Sequence, residues 1–77
     1  MSAVDYVVKW VVRDYPIEWK NSWSKLDQVM KFASKQLRDN PTELSIQLAD
    51  GTHVAHKEDI IAWARQHGRL PENFPEV

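Results

Sequence analysis

The sequence predicts an α+β fold of order β-α-β-β-α, a three-stranded sheet with two helices packed on it. Three observations carry that prediction. Five valines fall between residues 4 and 12, where β-branched side chains favour a pleated strand. Leu26, Val29, Met30, Ala33 and Leu37 recur at helical spacing on one face. Leu44-Ser45-Ile46-Gln47-Leu48 alternates strictly and runs into Asp50-Gly51, a strong hairpin-turn signal. At 77 residues the chain is expected to be one compact domain over 1–70, followed by an extended tail over 71–77.

The first element, residues 4–13, reads in two ways. As a strand it places residues 4, 6, 8, 10 and 12 on one apolar face. As a helix it has an apolar stripe opposed by Asp5, Lys9 and Arg13 at i,i+4 spacing, and the order becomes α-α-β-β-α, closer to a winged-helix fold. The valines favour the strand. Tyr15-Pro16 ends the element either way, because the residue before proline avoids the α region. Residues 14–22 then read as a connection with a short extended piece at 17–19.

Ser24 followed by Asp27 is an N-cap signal for a helix from Lys25 to about Arg38, stopped by Asp39-Asn40-Pro41. The strand at 44–48 turns at Asp50-Gly51 and returns through Thr52-His53-Val54-Ala55. A second helix runs from about Lys57 to His67, with Glu58 and Asp59 suiting its N-terminal dipole and Gly68 placed to end it. Ile60, Ile61 and Ala64 face the core, with Trp63 on the flank. Phe74 is placed to strap the tail onto the body.

Composition excludes several function classes. With no cysteine there is no disulfide, thiolate nucleophile or Cys-based zinc site, which suits a reducing cytoplasm. Two glycines cannot build a glycine-rich phosphate loop. No apolar run reaches membrane-spanning length and no signal-peptide pattern appears, so a cytoplasmic location is expected. Net charge is −1, without the basic excess of a typical nucleic-acid binder, although residues 21–42 carry +2 and residues 43–77 carry −3.

No catalytic or cofactor signature emerges. His53 and His56, three apart, diverge on a continuing strand and lack the further ligands that zinc needs. His67 sits near a helix C-terminus, where a cationic imidazole complements the dipole, and no nucleophile is spaced to partner it. Glu58-Asp59 is an ordinary helix start. No enzyme, metal or cofactor is therefore expected.

What stands out is aromatic. Four tryptophans occur in 77 residues, and Trp10, Trp19 and Trp23 fall within fourteen positions. So small a domain encloses few indoles fully, and Trp is the favoured anchor of protein interfaces. Trp10 and Trp63 read as packing residues. Trp19 and Trp23 flank the loop into the first helix, and Phe32 lies at the edge of that helix's apolar stripe. Lys31, Lys35 and Arg38 fall within about 60° of one another on the helical wheel.

Trp19, Trp23, Phe32, Lys31, Lys35 and Arg38 are therefore the candidate binding residues. They fit a non-enzymatic adaptor or inhibitor, of the phage or mobile-element accessory kind, whose partner presents an acidic, partly apolar protein surface. The alternative is a small nucleic-acid-binding regulator using the basic helix face. A third reading is a homodimer that buries the valine-rich strand or the aromatic patch.

Overall fold

The computed structural model describes residues 3–72. It contains β1 (Val4–Val12), β2 (Tyr15–Trp23), α1 (Leu26–Lys35), a 3-10 turn (Gln36–Asp39), β3 (Glu43–Leu48), β4 (His53–His56) and α2 (Lys57–Gln66). The order is thus β-β-α-β-β-α. The four strands form one antiparallel sheet in the order β2-β1-β3-β4. Val8 and Trp10 of β1 share one buried cluster with Leu44, Ile46 and Ala55 of the sheet and with residues of both helices. Both helices therefore cover the same sheet face, and the other face is open.

The first ten residues are strand, not helix. β1 has β2 on one edge and β3 on the other, so both its edges are saturated and neither is available to a second chain. This central position explains the valines: Val7 on the open face and Val8 on the helix face are both buried.

The sheet has four strands rather than three because residues 15–23, expected as a connection, form a nine-residue strand. The cause is the turn before it. Arg13 and Asp14 both have left-handed backbones, with φ of 52° and 66°. That is what a two-residue type I′ hairpin demands, and it is usually announced by Asn or Gly. Pro16 does not stop the strand. In this hairpin Val12 and Tyr15 close the ladder, so Pro16, opposite Val11, turns its missing N–H toward the free edge.

α1 is shorter than its periodicity suggests. It ends at Lys35, and the 3-10 turn carries the chain to Asn40, whose left-handed backbone (φ 53°) stops it just before buried Pro41. Val29, Met30, Ala33 and Leu37 are buried as the spacing implies. Leu26 is not. At the first position of α1 it lies beyond the sheet's cover and is 45% exposed. The cap is displaced too: Lys25 is the N-cap, and the Gln28 side-chain oxygen accepts from the N–H (3.2 Å) and hydroxyl (3.1 Å) of Ser24. Ser34 is buried, and its hydroxyl donates to the Lys31 carbonyl at 2.9 Å, so it enters the core with its polar group satisfied.

The second half follows its turn chemistry. Gly51 (φ 92°) closes the β3–β4 hairpin by donating to the Leu48 carbonyl at 2.9 Å. The His56 N–H donates to the Asp59 carboxylate at 3.0 Å at the start of α2. Gly68 (φ 64°) ends α2 in a Schellman motif, with Arg69 N–H donating to Ala64 (2.7 Å) and Gly68 N–H to Arg65 (3.3 Å). Phe74 and the rest of the tail from residue 73 lie outside the described residues.

Candidate functional site: an aromatic platform beside a lysine row

Strand register decides which side chains meet. Trp19 stands opposite Val8, Ile17 opposite Trp10, Tyr15 opposite Val12 and Trp23 opposite Val4. Opposed residues of an antiparallel pair point to the same side, so β2 turns all four toward the helix layer. β2 is the edge strand, and α1 covers it only in part. Trp23 is half-buried, whereas Ile17 (39%), Trp19 (49%) and Tyr15 (75%) remain exposed.

Phe32 links the aromatic residues. From α1 its ring lies 6.0 Å from Trp19 in a stacked arrangement (29°), 5.6 Å from Trp23 (46°) and 6.2 Å from Trp10, edge to face at 72°. Trp23 in turn lies 6.2 Å from Tyr6. These separations fall in the range where aromatic pairs attract beyond simple area burial. Phe32 is half-buried, because a neighbouring strand covers its inner side while Trp19 leans on it from the rim.

Of the six residues singled out by sequence, Trp19, Trp23 and Phe32 are in mutual contact through Phe32. Lys31 and Lys35 are exposed one turn apart on α1, on either side of Phe32 in sequence. Arg38 lies in the 3-10 turn, where side chains three apart eclipse, so it stays in line with Lys35. It is exposed but already engaged in an interaction of its own. Tyr15 and Ile17 belong to the same surface and were missed. Their signal was the alternation Tyr15-Pro16-Ile17-Glu18-Trp19, hidden by treating Pro16 as a stop.

The open sheet face is chemically different. Glu18 lies 3.6 Å from Lys9 and 3.3 Å from Lys20, and the Ser22 hydroxyl donates to Asp5. A shallow depression of about 390 Å³ is lined by Lys9, Val11, Pro16, Glu18, Glu43 and His53, among others. His53 and His56 do not diverge as expected. The register shift at Ile46/Gln47 sets His53 opposite Gln47 and His56 opposite Ser45, so both take the open face and their rings stack at 4.8 Å. Among the described residues no three His, Cys, Asp or Glu side chains gather to hold a metal.

His67 stacks on Trp63 at 4.2 Å, and its Nδ1 donates to the Trp63 carbonyl at 2.8 Å, so both groups are engaged in packing. Asp50 is held below the usual carboxylate range, chiefly because it accepts the Thr52 N–H at 2.9 Å. That is turn chemistry. Among the described residues no helix is long and apolar enough to cross a membrane.

Comparisons with protein-family models, with curated proteins and with solved structures give no match.

Proposed function

We propose that this chain is a non-enzymatic protein-binding module, an adaptor or inhibitor that occupies an acidic, partly apolar site on a larger protein in the cytoplasm. One observation carries the proposal: Trp19 is half exposed yet stacked on Phe32, which is itself wedged against Trp10 and Trp23. An exposed indole already held in place loses little freedom on binding, and such residues supply most of an interface's affinity. Tyr15 and Ile17 extend the apolar surface. Lys31 and Lys35 beside it steer the approach of an acidic partner.

The test is capture from host lysate with the wild-type chain, Trp19→Ala and Lys31→Glu/Lys35→Glu. The expected result is a retained protein that Trp19→Ala loses while its thermal unfolding stays cooperative. The charge-reversed variant should associate more slowly and lose the wild type's salt dependence. Recovery of nucleic acid alone, released steeply by salt, would overturn this reading in favour of the basic row acting on phosphate. A protein captured equally by Trp19→Ala would overturn the platform as the anchor.

A further inference from the structure

β2 is an open edge, and its chemistry is complementary to itself. Thr42 N–H donates to the Val11 carbonyl at 2.9 Å, so odd-numbered residues of β1 turn their backbone toward β3 and even-numbered ones toward β2. By register, Tyr15, Ile17, Trp19, Asn21 and Trp23 use their backbone groups on β1. The N–H and C=O groups of Glu18 and Lys20, and the C=O groups of Pro16 and Ser22, therefore point away from the sheet, while the outward Ser22 N–H donates to the Asn21 side-chain oxygen at 2.8 Å. Every residue from Tyr15 to Ser22 is exposed. The opposite edge, β4, has only four residues, a length that discourages pairing; β2 has nine.

We propose that the chain forms an antiparallel homodimer through the outer edge of β2, with Trp19 opposite its own copy and Glu18 opposite Lys20 of the second copy. Two independent features select this register. Trp19 is the midpoint of β2, so only here does the whole strand overlap itself. This register also sets opposite charges against each other at both Glu18–Lys20 positions, on the open face. Moving the two-fold axis by one residue sets Glu18 against Glu18 or Lys20 against Lys20. A single charge on an edge strand repels a second copy; opposite charges two residues apart attract one in a defined register.

The ladder closes through the outward backbone groups once the Ser22 N–H exchanges the Asn21 side chain for the Pro16 carbonyl of the second copy, and the absent N–H of Pro16 leaves one bond per chain unmade. On the open face Glu18, already paired with Lys9 and Lys20 of its own chain, gains Lys20 of the second copy, so the in-chain pairs extend into a network across the seam. On the helix face Tyr15 meets Trp23 of the second copy, and the exposed edges of the two Trp19 rings cover each other. The dimer does not depend on the binding role proposed above. It does predict that a partner anchored on Trp19 engages the monomer.

Sedimentation equilibrium over a micromolar concentration series should show the weight-average mass rising from 9.0 kDa toward twice that value. Glu18→Lys and Lys20→Glu each create two like-charge pairs per dimer and should weaken association about tenfold or more. The double exchange Glu18→Lys/Lys20→Glu restores both intermolecular pairs while setting the new lysine against Lys9 of its own chain, so it should recover most, though not all, of the lost association. Mixing the two single variants should give a heterodimer, which also shows that both are folded.

In amide exchange, Glu18 and Lys20 should gain protection on dimerisation, whereas Ile17, Trp19 and Asn21 are protected in both states. A wild type that stays monomeric overturns the proposal, as does a dimer indifferent to both single exchanges. Failure of the double exchange to restore association overturns the register. Neither single exchange touches Trp19, Lys31 or Lys35, so loss of the dimer with partner capture intact separates this proposal from the previous one.

Discussion

Phe32→Ala removes the ring on which Trp10, Trp19 and Trp23 converge, and its cost separates a structural hub from a surface ornament. Truncating a fully buried Phe costs about 3–5 kcal/mol, and Phe32 is half-buried, so the burial share is about 2 kcal/mol. Three ring contacts at roughly 0.5–1.5 kcal/mol each overlap partly with that share, bringing the total to about 3 kcal/mol. A core of this size supplies only ~3–5 kcal/mol in all, so the variant should sit close to its unfolding midpoint in water.

Trp19→Ala removes a ring that is 49% exposed and makes a single stacking contact, and by the same reckoning should cost about 2 kcal/mol. Urea denaturation followed by far-UV circular dichroism reads both, with Phe32→Leu as a variant that keeps most of the volume and should recover more than half of the loss. A Phe32→Ala penalty below about 1 kcal/mol, or one no larger than that of Trp19→Ala, would refute the idea that Phe32 organises the platform.

Three other substitutions probe the turns. Asp14→Gly relieves a left-handed backbone at φ 66° and should raise stability by about 0.5–1 kcal/mol in urea titrations; a loss would contradict the type I′ hairpin. Gly68→Ala meets no neighbouring atom but must hold φ 64°, so thermal unfolding should show a loss of about 1 kcal/mol from backbone strain alone. Asp50 has a lowered folded-state pKa, so its ionised form contributes stability that is fully present above the ordinary value of 3.8 and fades as pH falls through the lower folded value. Asp50→Ala should therefore be slightly less stable than wild type at neutral pH, and the gap should close as denaturation curves are repeated toward strong acid.

Much of the fold was legible because local and global preferences agree. The valines of β1, the Asp50-Gly51 hairpin, the αL stop at Asn40 before Pro41 and the glycine end of α2 each announce what they build. β2 escaped because Arg13 and Asp14 take conformations that their side chains do not advertise. Pro16 also reads as a terminator unless the strand is known to be an edge. That omission carried over to the site. Trp19 and Trp23 were recognisable as aromatic anchors, but that they meet on Phe32 follows from the β1–β2 register, as does the place of Tyr15 and Ile17 beside them. Leu26 shares the face of the buried stripe yet stays exposed, because periodicity gives a helix's face but not where the sheet beneath it stops.

β1 also divides the molecule in time. On one edge it meets a strand across a two-residue turn, a closure that takes about 1–10 μs. On the other edge the first bond, from Thr42 to Val11, spans 31 residues that include all of α1. A lone hairpin is only marginally stable, so β1 and β2 form and dissolve repeatedly until β3 arrives with α1 folded between them. The slow event of folding is then the meeting of Val8 with Ile46, opposed across that junction and both fully buried. Truncating either should lower the folding arm of a chevron plot rather than only raise the unfolding arm, which places the nucleus at the seam between the near and the distant halves of the chain.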